Sequence, residues 1–403
     1  MTPDPLDDAV ARQYARWVYP EPIEDLPAWL AGNWQLFDPS HAHRLLWPDR
    51  AEPGDLDILI AGCGANQAAV LAYTNPGSRV VGVDVSQPSL DHEARLKERY
   101  GLANLELHRL PIEQIGTLDR DFDLIISTGV LHHLDDPVAG LAALAPCLRP
   151  DGVTAIMLYA RYGRLGVEML QGVFRDLDLE QDEPSLEIVK AALAALPPEH
   201  PLQPYVEIAP DLQFDGGLVD TFLHGRDRSY TVDDCLGLVA GAGLVFADWL
   251  LQAPYHPPVD AANGFLATVA GLPRERQWAV MERIHSRNGC HFFTACRPER
   301  PTAAYRIDFT SPAFVDLVPF LRHRCAIDGR AVSRPDWSTP IDSTQFALLR
   351  LVDGRRSIGE LLAAGASGTE LAERAEADRL AYARALFQSL WQLDVLGMGL
   401  PAR

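Results

Sequence analysis

From about residue 57 the chain alternates short, continuously apolar runs with stretches of helical spacing. The runs DILIAG, RVVGVD, LELHRL, FDLIIST and VTAIMLY read as buried strands. Between them, QAAVLAYT, SLDHEARLKERYG and VAGLAALAPCL repeat apolar residues at helical intervals. Strands and helices in strict alternation predict an α/β fold, a doubly wound, Rossmann-like parallel sheet with helices on both faces. Two later apolar runs, Leu244–Leu250 and His291–Cys296, are expected to finish that sheet.

The rhythm is framed by three other kinds of segment. Residues 1–54 hold four of the eight tryptophans (Trp17, Trp29, Trp34, Trp47), aromatic area that a disordered tail could not use, so a helical N-terminal cap is predicted. Residues 160–230 break the alternation with two or three helices and an acidic loop. They fall at the carboxyl ends of the strands, the edge where open α/β sheets bind ligands, so we read a helical lid insertion within a sheet domain spanning 55–298. RPERP at 297–301 is a linker. Residues 302–403 read as a small, mainly helical C-terminal domain with the layout of a winged helix. There, Ser357 and Glu360 form a capping box, and Ala383, Leu386, Phe387, Leu390 and Trp391 share one helix face.

The 403 residues carry 35 Lys and Arg against 55 Asp and Glu, a net charge of −20. Residues 301–403 are balanced, with 12 of each sign, so the whole excess lies in the first 300 residues. Such a surface repels phosphate backbones, and nucleic acid is not an expected partner. The six scattered cysteines include no CxxC pair, which argues against a disulfide framework or a zinc knuckle. The opening MTPDPLDDAV lacks a basic and an apolar leader region, and no run reaches the ~20 apolar residues of a membrane span. A cytoplasmic protein with no membrane partner is the expectation.

One segment carries chemistry. LIAGCGANQ (59–67) ends a strand and opens a helix, and Gly62 and Gly64 permit a tight turn with close backbone approach to a ligand. Amides at that helix start can meet a negative group. About twenty residues on, Asp84 ends the second strand, where a carboxylate can accept both hydroxyls of a ribose. The dinucleotide fingerprint GxGxxG fails because Gln67 occupies the third glycine position, which disfavours NAD.

Together these residues resemble class I S-adenosylmethionine-dependent methyltransferases, over roughly residues 55–160 and more weakly to 297. Gly62-Cys63-Gly64 is similar to their first motif and Asp84 to their ribose-binding acid. FDLIISTGVLHHLDDP (122–137) and LRPDGVTAIMLY (148–159) resemble their fourth strand with its loop and their fifth strand with its turn. The resemblance implies S-adenosylmethionine as cofactor, with contacts at Ala61, Gly62, Gly64, Asn66, Asp84, Val85, Leu110, Thr128 and Gly129. Three departures stand out. Ile60 replaces an acid two positions before the first glycine, Asn66 replaces the third glycine of GxGxG, and either Leu110 or Glu113 must serve the adenine.

Methyl transfer to an O or N nucleophile of a small molecule is the expected activity. His133 is a candidate base after the fourth strand, and His224 a second candidate in the polar run DTFLHGRDRSYTVDD (220–234), which resembles a segment of a bacterial subgroup of these enzymes. Tyr14, Tyr19, Arg226, Arg228 and Tyr230 are candidate substrate contacts, with Thr231 and Asp234 capping the helix that follows. His41 and His43 make an HxH spacing but would point apart on a helix, so no metal is expected. Two other readings stay open: a protein or peptide methyltransferase docking its substrate on the C-terminal module, and a non-catalytic nucleotide-binding scaffold. A homodimer is also a possible state.

Overall fold

The computed structural model describes residues 9–52, 54–259 and 264–401. The expectation for the first eight residues, no secretory leader, lies outside this range. The sheet strands are β1 (Asp57–Ala61), β2 (Arg79–Asp84), β3 (Leu105–Arg109), β4 (Phe122–Thr128), β5 (Leu148–Tyr159), β6 (Val245–Trp249) and β7 (Cys290–Cys296). They lie in the order β3-β2-β1-β4-β5-β7-β6. The first five are parallel and β7 runs antiparallel to β5. Ile58–Ile60 and Leu124–Ile126 are fully buried, as expected of strands covered on both faces. Strand order reverses between β1 and β4, so their carboxyl ends open a crevice.

The helices of this domain start where side chains satisfy their first amides. Ser86 accepts from Ser89 N–H at the head of Gln87–Tyr100, and Gly101 ends that helix in the left-handed region (φ 63°). Asp136 caps Pro137–Leu144. Thr231 and Asp234 form a reciprocal capping box on Val232–Gly241. The 160–230 insertion contains Leu165–Asp176, Glu183–Ala195, Gln203–Val206 and Asp215–Phe222. It has a core of its own, including Val167, Phe174, Val189, Val219 and Phe222.

The chain forms two compact units. One comprises 1–36, 54–246 and 282–300; the other comprises 37–53, 247–281 and 301–403. The second unit packs around Phe314, Leu348, Leu349, Phe387 and Val395. The Ser357–Glu360 capping box is present there. That unit also holds five short strands absent from the sequence reading: β8 (Val318–Leu321), β9 (Ala326–Ile327), β10 (Ala331–Arg334), β11 (Trp337–Pro340) and β12 (Leu396–Gly399). They form a three-stranded antiparallel sheet (β11-β10-β9) and a β12-β8 pair. At two to four residues each they are too short for a period of two to show. The helical pattern from Thr369 is broken as well. Thr369 caps a short turn at Glu370–Glu373, and the helix proper is Glu376–Gln392. Among the described residues no helix is long and apolar enough to cross a membrane, and all six cysteines are free.

Candidate active site

At the end of β1 the backbone turns through Gly62 (φ 82°) and Gly64 (φ 57°). A Cβ on Gly62 would lie 2.3 Å from Val130 Cγ2, and one on Gly64 2.9 Å from Pro20 Cδ, so both positions require glycine. Gly62 and Cys63 donate their N–H groups to Val83 O, each at 2.9 Å. Gly64 N–H and Ser86 N–H each donate to Asp84, at 2.8 Å to opposite oxygens. Asp84 is thereby aimed across the crevice, with burial pushing its pKa up against those backbone hydrogen bonds. Its two oxygens keep further lone pairs for a diol.

Two neighbours support the turn. Asn66 Oδ1 accepts from Ile23 N–H (2.7 Å) and its Nδ2 donates to Glu21 O (2.8 Å). The side chain that the resemblance offered as a cofactor contact fastens over the turn the 20–25 strap, which has no secondary structure of its own to satisfy its backbone. Glu93, buried, accepts from Ala68 and Ala69 N–H (2.9 and 2.8 Å) at the head of helix Gln67–Thr74. Burial pushes its pKa up to about 8. It stands on the helix after β2, so nothing in the glycine motif itself signals it.

A cavity of about 1280 Å³ runs from this turn along the ends of β1, β4 and β5. Gly62, Gly64, Asn66, Asp84, Val85, Leu110, Thr128 and Gly129 line it, and Glu113 does too; Ala61 is fully buried behind the turn and does not. Its wall also includes Tyr14, Tyr19, His133, Tyr159, Asp211 and Arg226. Gln67 and Gln35 also face it, with Gln67 Nε2 3.2 Å from Gln35 Oε1 and 3.3 Å from Thr128 Oγ1. These amides are the side-chain donors nearest the turn that sequence reasoning passed over. Gln67 was legible there only as the residue that breaks a fingerprint.

His133 Nδ1 lies 2.7 Å from Arg226 O. A carbonyl only accepts, so Nδ1 carries the proton and the neutral ring offers its lone pair at Nε2. His224 stacks on His133 at 3.9 Å between centroids, behind the wall. Its Nδ1 accepts from Arg226 N–H (2.9 Å), so the neutral ring keeps its proton on Nε2. Burial pushes the pKa of His224, and that of the fully buried His132, well down. His133, Asp220 and His224 stand close enough to share an ion, but a protonated Nε2 makes His224 a donor and not a ligand. His43 Nε2 meets Ala51 O at 3.1 Å, and His41 stacks on His323.

The remaining candidates separate. Arg226 pairs with Asp135 (3.0 Å) on the cavity wall. Arg228 donates to Leu134 O and Asp135 O (2.9 and 3.0 Å), bracing the loop after β4. Tyr230 is buried and bridges backbone to Ala160 away from the cavity. Two acids that sequence reasoning did not single out hold the phenols of this wall, Asp211 on the cavity lining and Asp220 buried behind it. Asp220, nearly fully buried, accepts from Tyr14 OH (2.7 Å) and Tyr159 OH (3.3 Å), and Asp211 accepts from Tyr19 OH (2.8 Å). Beneath Tyr159, fully buried Arg164 pairs with Asp227 at 2.9 Å.

A glycine turn shaped for close approach, an acid at the tip of β2 and a cavity continuing to a polar wall meet at the carboxyl ends of a Rossmann-like sheet. Residues 59–154 match the family model described as a methyltransferase domain, so the chain carries a methyltransferase domain over those residues. An uncharacterized protein of Synechococcus is 31% identical over 263 residues, covering 63% of this chain and 63% of that protein. The tRNA 5-carboxymethoxyuridine methyltransferase of Escherichia coli is 30% identical over 138 residues, 32% of this chain. The chain spans 63% and 52% of the lengths of these two relatives. Among solved structures, PKMT2 from Rickettsia typhi shares the fold, with a TM-score of 0.64 at 15% identity over 91% of this chain and 76% of that one. PKMT2 has also been solved in complex with AdoHcy, at a TM-score of 0.59 and 16% identity over 86% of this chain and 71% of that one.

Proposed function

We propose that the chain is an S-adenosylmethionine-dependent methyltransferase acting on an O or N nucleophile of a small molecule. One observation supports this above the others: a single cavity joins the glycine turn and Asp84 at one end to His133 and the tyrosine wall at the other. At about 1280 Å³ it exceeds the ~300–1,000 Å³ of a single-ligand pocket and has room for a cofactor and an acceptor together. The cofactor would supply a methyl group already activated on a sulfonium. Asp84 would hold its ribose and the Gly62–Gly64 turn would admit its backbone-side edge, with Gln35 and Gln67 at hand for the amino-acid part. The chain's own task is to place the nucleophile about 3–3.5 Å from the methyl carbon, exclude water and, where the acceptor holds a proton, take it at His133.

Calorimetric titration with S-adenosylmethionine and S-adenosylhomocysteine tests the reading. Micromolar binding of both is expected. No binding would favour the scaffold alternative. A homodimer belongs to the same reading: Leu165, Met169 and Val173 on one insertion helix, with Leu177 just past its end, form an exposed apolar stripe four residues apart. Met169→Glu should leave a dimer dissociated in sedimentation, and an unchanged mass would exclude that face.

A further inference from the structure

Oxygen and nitrogen acceptors differ in what they ask of the wall that holds them. Three phenols stand at the substrate end, Tyr14, Tyr19 and Tyr159. Each has one proton, and each gives it to a carboxylate: Tyr14 and Tyr159 to opposite oxygens of Asp220, Tyr19 to Asp211. With that proton committed, a phenol oxygen can offer a ligand only lone pairs. Burial and the neighbouring carboxylates hold all three phenols well above their usual range, so this arrangement does not titrate away. The three phenol oxygens accept further hydrogen bonds and do not donate them.

Charge points the same way. The cations at this end are Arg164, paired with Asp227, and Arg226, paired with Asp135. Asp211 and Asp220 are left with phenol partners and no cation among the ion pairs of the described residues. An anionic acceptor such as a carboxylate would meet the Asp211 carboxylate and three acceptor oxygens, with Asp220 buried behind them. A group rich in N–H and carrying positive charge would satisfy both.

We propose that the methyl acceptor is an alkylamine, entering as its ammonium ion against the oxygens of Tyr14, Tyr19 and Tyr159 with Asp211 and Asp220 behind them. This rests on the methyltransferase reading above. Methylation requires the free amine, and the ammonium gives one proton to the Nε2 lone pair of His133. The nitrogen lone pair then bonds the methyl carbon as the carbon–sulfur bond breaks. Sulfur keeps that electron pair and becomes a neutral thioether, and the product leaves as a methylated ammonium.

The test uses the full chain saturated with S-adenosylhomocysteine, titrated with hexylamine, hexanol and hexanoate. Hexylamine should bind about tenfold or more tighter than hexanol, the scale of a charge-assisted hydrogen bond, and hexanoate should not bind. Tyr19→Phe and Tyr14→Phe should each weaken the amine about fivefold and leave hexanol unchanged; retained S-adenosylhomocysteine binding shows that the variant is folded. A lysine-containing pentapeptide run alongside separates a free amine from a lysine side chain as the source of the same group. Equal or tighter binding of hexanol or hexanoate, or no amine binding, overturns the proposal. If S-adenosylhomocysteine itself fails to bind, the methyltransferase reading falls, and the same titrations on the unliganded chain still decide what the wall prefers.

Discussion

Asn66 is one of the side chains that fasten the strap across the glycine turn, beside His92 on Ile23 O and Arg99 on Glu24 O, and its removal has a calculable effect. Asn66 is 4% exposed and makes two hydrogen bonds to the strap backbone, accepting from Ile23 N–H and donating to Glu21 O. In Asn66→Ala both strap groups lose their partner. A typical intramolecular hydrogen bond contributes about 1 kcal/mol net, so undocking the strap becomes easier by about 2 kcal/mol, a factor of about 30. If the strap stays shut, two buried polar groups go unsatisfied and the cost reappears as lost stability of similar size. The two outcomes separate experimentally. Opening should raise the dissociation rate of S-adenosylhomocysteine about 30-fold, read by stopped-flow competition, and speed amide exchange at Ile23. A strap that stays closed should instead lower the unfolding free energy by about 2 kcal/mol in urea with exchange unchanged. Asn66→Asp is the control, since it keeps the acceptor for Ile23 N–H and loses the donor to Glu21 O. A variant with native dissociation rate, native exchange and native stability would refute the clamp.

Other consequences follow from neighbouring residues. Asp84→Ala should weaken S-adenosylhomocysteine binding about tenfold or more, because ribose contact and the anchor of Gly64 N–H are lost together; unchanged affinity would remove Asp84 from the site. Glu93 has a folded-state pKa raised to about 8 against an ordinary value of 4.5, so the folded state binds the extra proton between those limits. Its stabilising contribution is complete below 4.5 and is lost as pH rises toward 8, at a slope of up to ~1.4 kcal/mol per pH unit. Glu93→Gln should lack that slope in urea melts taken across the window, and a variant as pH-dependent as the parent would sink the assignment. Arg164→Ala leaves Asp227 buried without its cation and should cost about 3–5 kcal/mol, whereas Arg164→Met with Asp227→Asn should recover much of the loss; equal losses would show that the pair does not act as a unit.

The C-terminal residues cannot be removed cleanly to test a docking role. Arg44 donates to Gly354 O (2.7 Å) and Leu400 N–H donates to Pro48 O (2.7 Å), so deleting 301–403 would strip a compact unit of most of its core. Point substitutions on its surface, with KM read for a peptide and for a small acceptor, are the workable form of that experiment.

What could be known from the sequence is what local physics writes locally. Buried strands on a doubly covered sheet must be apolar throughout, so β1 to β5 announced themselves, as did the helices whose starts carry Ser86, Asp136 and Thr231. Gly62, Gly64 and Asp84 were legible because a tight turn and a strand tip demand those residue types at that spacing. Tertiary structure alone decided the partners. Asn66 sits in the motif but spends its amide on residues 21 and 23, and Glu93 enters the turn from another helix. Asp220 and Asp211 looked like two acids among many in an acidic chain. They stand out only because Tyr14, Tyr19 and Tyr159, up to 206 positions away, bring their hydroxyls to them. Hydrogen bonds are short-ranged in space and indifferent to sequence separation, so no periodicity or spacing along the chain could record which oxygen would meet which proton.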